Sequence, residues 1–187
     1  MVKLVKGFLV AGIAAALLSG CGGNKEEAAA PSASPAASPA TAEQTDAKTT
    51  ASIVNVADAF NNAVSEKGTW IIAILNDLTI DNEVVVAGEF HDKGAADGNI
   101  YRKIALYAQD ANRNITANYT LTAPKVTVKS ENLRVQGGTI KGDVYVEAKG
   151  FNLHETSTID GNLYFASEDV KASAQIDGKV TGKTEVQ

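Results

Sequence analysis

The sequence predicts an all-β fold: a single-stranded β-helix, or solenoid, over residues 69–187, entered through one short α-helix at 52–68 and preceded by an unstructured tether. Three observations predict it. Apolar residues alternate with polar ones in short runs separated by glycine and polar turns, as in strands with one buried face. The runs recur about every 18 residues in three columns, a period that suits stacked coils. A local phrase returns in three successive coils: Ile140-Lys-Gly-Asp-Val144, Ile159-Asp-Gly-Asn-Leu163 and Ile176-Asp-Gly-Lys-Val180.

The chain begins with Lys3 and Lys6, followed by an apolar stretch from Gly7 to Leu18 too short to suit a permanent bilayer span. Residues 1–20 therefore read as a cleaved export signal. The stretch ends in Leu18-Ser19-Gly20-Cys21, which resembles the bacterial lipobox. That resemblance implies cleavage before Cys21, acylation of its sulfur, and attachment to the extracytoplasmic side of a bacterial membrane through two or three chains. Residues 21–51 then mix alanine, serine and proline and hold three of the four prolines. With so little bulky apolar surface to offset ordering entropy, they are expected to form a disordered tether.

From Ser52 to Lys67, Ile53, Val56, Ala57, Phe60, Ala63 and Val64 recur at helical spacing, with Ser52 as N-cap and Gly68 just beyond the end. This amphipathic helix suits a lid on the first coil. After the apolar run Trp70 to Leu75 the period changes to two. Val84, Leu106, Val126, Val144, Leu163 and Val180 open one column. Leu133, Phe151 and Val170 open a second, and Ile80, Leu121, Ile140, Ile159 and Ile176 form a third. Each coil should stack on the next at about 4.8 Å with alternate side chains inside.

On the three repeated phrases, residues 78–187 are similar to the bactofilin family of polymer-forming cytoskeletal proteins. The resemblance implies a right-handed β-helix of about six coils and nucleotide-free filaments built by end-to-end coil stacking. The coils before Lys125 match by spacing alone, and the export signal departs from a cytoplasmic family.

Composition excludes several functions. With 17 basic against 22 acidic residues, the formal charge is −5, and removal of residues 1–20 leaves it more negative still. Such a surface disfavours nucleic acid, whose phosphates need clustered cations. One cysteine excludes a disulfide framework, and with only two histidines a zinc site is disfavoured. No cofactor is implied, no metal site is assigned, and no motif for nucleophilic, phosphate-binding or metalloprotease chemistry occurs.

Three features remain as candidate sites. The segment Gly88 to Asn99 gathers Glu89, His91, Asp92 and Asp97, a set able to hold a divalent cation, although a solvated loop with Asp-Gly turns is the plainer reading. A polysaccharide-cleaving enzyme would need one of Arg102, Arg113 or Arg134 over these acids, which nothing in the sequence provides. Second, the residues between inward pairs should form an outward column, Val85, Tyr107, Thr127, Tyr145, Tyr164 and Thr181, whose tyrosines Tyr107, Tyr145 and Tyr164 suit a sugar ring of a cell-wall glycan. Third, the last coil, with Ile176 and Val180, shows no capping element and offers a self-association end for a homo-oligomer. The leading expectation is thus a non-enzymatic, membrane-anchored envelope protein with a self-associating β-helix. A carbohydrate-binding module is the alternative, and a polysaccharide-cleaving enzyme a more distant one.

Overall fold

The computed structural model describes residues 52–187. The expected export signal, the lipidation expected at Cys21 and the expected tether fall on residues outside those described. Within them the protein is mainly β, with sixteen strands and two short α-helices, α1 (Ala57–Val64) and α2 (Glu168–Ser173). None of these helices is long and apolar enough to cross a membrane. The ladders are parallel, except that Tyr107–Gln109 and Ile115–Asn118 form an antiparallel hairpin and His91 bridges Ile100.

Three rows of register partners run across the parallel sheets. Val84, Val126, Val144 and Leu163 lie side by side and continue to Thr184. Leu78, Leu121, Ile140, Ile159 and Val180 form the second row. Ile72, Ile104, Val135, Leu153 and Ile176 form the third, in the other sheet. All three rows are buried in one apolar cluster until the last layer, where Ile176 and Val180 are half-buried and Thr184 is exposed. Alternation dictates this: each inward residue is flanked by outward ones, so one register choice buries or exposes a whole strand.

The rows correct the expected columns in two places. The first two rows hold five members each, and the third is continued to a sixth strand by Ser52, the register partner of Ile72. Val84 pairs with Val126 and skips Leu106, because the excursion at 88–101 and the hairpin 107–118 lengthen that layer. In the last layer the repeated phrase changes rows: Ile176 lies beside Leu153, and Val180 beside Ile159. The cause is α2. Ser167 Oγ accepts from Val170 N at 3.2 Å, and Glu168 and Asp169 stand in the first turn, where the helix dipole favours acids. Six helical residues advance the chain about 9 Å where a strand would cover about 20 Å, so the phrase arrives one row late. The expected strand at Val170 is this helix.

Glycine marks one corner. Gly142 has φ +138°, and a Cβ there would lie 1.8 Å from the Ala123 carbonyl oxygen. Gly161 sits against the Gly142 carbonyl in turn, and Gly182 against that of Gly161. The expected third glycine of this corner, Gly178, packs instead against His154 and Ser157, as the shifted row requires.

The expected helix over 52–68 is shorter. Ser52 and Ile53 form a strand paired with Ile72 and Ala73, and α1 starts after Val56, which provides no side-chain cap. Its Phe60 and Val64 are fully buried in the core cluster.

Candidate functional site

Strands Thr139–Val146 and Leu163–Phe165 place two phenols outward, because Val144, Val146, Leu163 and Phe165 on either side are buried. Tyr145 and Tyr164 are register partners, with ring centroids 4.7 Å apart and planes tilted by 39°. Together with Glu147 and Gln187 they line a cleft of about 200 Å³. Lys125 places its Nζ 4.5 Å from the Tyr145 ring centroid and 3.2 Å from Glu83 Oε1. Thr127 Oγ1 donates to the same carboxylate at 2.5 Å. That hydroxyl, and then Lys125, hold Glu83 below the usual carboxylate range. Burial, then the nearby Asp143, Tyr145 and Glu185, push the Tyr164 phenol up.

The outward column reads Val85, Thr127, Tyr145, Tyr164 and Glu185. Two expected members are absent from it. Thr181 belongs to the turn between the last strands, where its hydroxyl donates to Asp160. Tyr107 turns away with the hairpin, is 9% exposed, and packs with Ala73, Ala105 and Ile115. Its hydroxyl accepts from Lys103 Nζ at 3.0 Å. The physical reason is the turn at Asp110, whose carboxylate accepts from the backbone of Asn112 and Asn114 and folds the chain back on itself. The two phenols that share a face are therefore Tyr145 and Tyr164.

At the carboxyl-terminal end, Gln175–Ile176, Lys179–Val180 and Thr184–Val186 are the last strands of their sheets and pair on one side only. Ile176, Val180 and Val186 pack on the core while remaining half-exposed. The opposite end differs, since α1 lies there against strands Ile71–Ala73 and Val84–Val86.

The 88–99 loop does not assemble its acids. Among the described residues no group of three His, Cys, Asp or Glu side chains is placed to share a metal ion. His91 Nδ1 lies 2.7 Å from Gly98 O and its Nε2 3.3 Å from Glu89, which ties the loop to itself. The Gly98 carbonyl, and then Glu89, raise the His91 pKa.

Arg102 faces away from this loop's carboxylates and is fully buried. Nε donates to Thr69 O at 3.1 Å, Nη1 to Ala87 O and Ser130 Oγ, and Nη2 to Ala63 O and Ser65 O. All five guanidinium protons are thus used, and Cζ lies over the Phe90 ring, 4.0 Å from its centroid. The group binds the last carbonyls of α1 to the strands beneath and is a structural clamp. Burial pulls its pKa down to about 10. Sequence reasoning weighed Arg102 only as a base for a polysaccharide-cleaving enzyme and missed this role. The signal was present: Arg102 shares the parity of Ile104 and Leu106, the inward side of its strand.

Comparison with protein-family models, with curated proteins and with solved structures found no match to this chain.

Proposed function

We propose that this chain is a lipid-anchored protein of the bacterial envelope whose β domain is a right-handed β-helix, acting as a structural module that joins a second copy through its carboxyl-terminal coil. It performs no chemistry in this role. The anchor rests on the lipobox-like Leu18 to Cys21, and the helical winding on the three rows of parallel partners. The observation that carries self-association is the asymmetry of the two ends. At one end Ser52–Ile53, Leu78–Thr79 and Val84–Val86 also pair on one side only, but α1 packs against Ile71–Ala73 and Val84–Val86 with Phe60 and Val64 fully buried; at the other, three edge strands leave Ile176, Val180 and Val186 half-exposed.

Unpaired strand edges are templates for another chain. With one end covered, stacking closes after two copies, because an isologous contact uses the same surface twice. This is where the reading departs from the bactofilin resemblance, which implies open filaments. Sedimentation of the segment from Ser52 onward is the test. A dimer that Val180→Lys converts to monomer supports the proposal, and a monomer at all concentrations sinks it.

A second reading is favoured by one observation, the Tyr145–Tyr164 pair beside its cleft. Stacked phenols suit the apolar face of a sugar ring, so the same module would hold wall glycan. Replacing both by serine should abolish binding to isolated wall polysaccharide and leave the circular dichroism spectrum intact. Unchanged binding discards this reading.

A further inference from the structure

The face of the other sheet carries a pair of cations that the protein itself does not neutralise. Ile72, Ile104, Val135, Leu153 and Ile176 point inward, so the alternate row Ile71, Lys103, Arg134, Asn152 and Gln175 points outward. Lys103 and Arg134 are register partners, about 4.8 Å apart along the ladder. Like charges placed opposite one another are destabilising. The chain has 22 acidic residues against 17 basic, yet the ion pairs among the described residues involve only His91, Lys125 and Lys129. Lys103 donates to the Tyr107 hydroxyl, and Arg134 Nε is shielded without a hydrogen-bond partner, as is Oδ1 of the adjacent Asn152. Beyond them the row continues as amides, with Asn152 Nδ2 donating to Gln175 Oε1 at 3.0 Å and Gln175 Nε2 donating to Asp177 Oδ2 at 2.7 Å, which leaves the cation end of the row for an anion.

We propose that this outward row is a binding site for an acidic glycan, in which Lys103 and Arg134 take a sugar carboxylate and Asn152 and Gln175 hydrogen-bond neighbouring hydroxyls. The row fits this class better than other anions. Nucleic acid binding draws on many phosphate contacts, and two cations on an acidic protein supply few. An anionic bilayer would gain about 1 kcal/mol per cation near its surface, too little to hold the domain by this face. A carboxylate, by contrast, matches the planar guanidinium fork with two parallel hydrogen bonds. Amides offer both donors and acceptors, which is what hydroxyl groups need. Its two cations stand on strands Arg102–Ala105 and Leu133–Gln136, away from the Tyr145 face, and the row meets the carboxyl-terminal edge only at Gln175, so the cation pair stands independently of both readings above.

His154 provides a reporter. Burial, then Arg134, lower its pKa, with Lys103 adding to the effect and Glu155 and Asp177 opposing it. An anion seated on the two cations should cancel part of their influence and raise the His154 titration midpoint. With only two histidines in the chain, its ring signal is readily assigned.

The experiment titrates the full chain in neutral detergent micelles with hexagalacturonate and with its methyl ester, by calorimetry and by proton resonance of His154. Expected are saturable binding of the acid form, at least tenfold weaker binding of the ester, and an upward shift of the His154 midpoint. Arg134→Gln should weaken binding about tenfold, equivalent to about 1.4 kcal/mol, and remove the His154 shift. Lys141→Gln, which removes an exposed cation from the other sheet, should leave both unchanged. Lys103→Gln serves as the second variant should Arg134→Gln alter the far-ultraviolet spectrum, with the same expected loss. Equal binding of acid and ester, wild-type affinity in the folded variants, or no binding at millimolar ligand each overturns the proposal. So does displacement by an equal concentration of inorganic phosphate, or an Arg134-dependent preference for vesicles of half anionic over wholly neutral lipid.

Discussion

Replacing Arg102 by methionine tests how the amino-terminal end is held. The substitution keeps the bulk of the stem and removes five hydrogen bonds to Thr69 O, Ala87 O, Ser130 Oγ, Ala63 O and Ser65 O. Bonds to a charged group contribute about 1.5 kcal/mol each at the low end, so their loss amounts to about 7 kcal/mol. Against this stands relief from burying the charge. A pKa drawn down from the usual arginine range to about 10 corresponds to about 3 kcal/mol of desolvation. The difference, about 4 kcal/mol, is a large part of a typical domain's 5–15 kcal/mol stability. Water reaching the partly exposed carbonyls brings the expected loss nearer to about 3 kcal/mol, a fall of roughly 10 °C in Tm. Some buried ion pairs can be exchanged for apolar groups without loss, because both partners leave together. Here four of the five acceptors are backbone carbonyls, which stay and lose their donor. The assay is guanidinium unfolding followed by the fluorescence of Trp70, the only tryptophan, which follows the Thr69 carbonyl in sequence. Arg102→Lys, with one ammonium in place of a five-proton fork, should recover less than half. A methionine variant within 1 kcal/mol of the wild type would refute the clamp.

Two further outcomes follow from single positions. Gly142→Ala should cost more than about 2 kcal/mol in urea unfolding, since it forces a side chain into a left-handed backbone against the Ala123 carbonyl; a change below 0.5 kcal/mol would show that the corner can relax. Asp110 is held below the usual carboxylate range by Asn114, backbone and side chain, and by the Asn112 backbone. Its folded pKa lies below the unfolded value, so its stabilisation of the hairpin is complete above about pH 4 and is lost as pH falls through the folded value. Amide exchange in Tyr107–Gln109 and Ile115–Asn118 should therefore lose protection at low pH, relative to the parallel sheets, and Asp110→Ala should show that loss already at pH 6.

Much of the architecture was legible in the sequence, for a physical reason. Period-two alternation is imposed by the pleat, so Val126, Val144 and Leu163 had to share one row once their strands paired in parallel. What misled was the assumption that a repeated phrase keeps its place in space. Ile176 to Val180 repeats the wording of Ile159 to Leu163, but α2 consumes chain at a shorter rise, and the phrase lands one row away. Tyr107 failed for a related reason, since a turn at Asp110 takes the strand out of the stack before its phenol can join the others. Of the candidate site, adjacency of Tyr145 and Tyr164 followed from register alone. The unpaired Lys103 and Arg134 required knowing which strands are neighbours, information that no local pattern holds.

The central claim, that two copies meet at their carboxyl-terminal coils, is tested most directly by spin-label distances in the segment from Ser52 onward. Labels replacing Thr181, exposed in the last layer, should couple between copies at short range. Labels replacing Asn61 on α1 should lie roughly 50–60 Å apart, because each copy contributes five to six layers at about 4.8 Å. Strong coupling between Asn61 of one copy and Thr181 of another, or none at Thr181, would contradict the account.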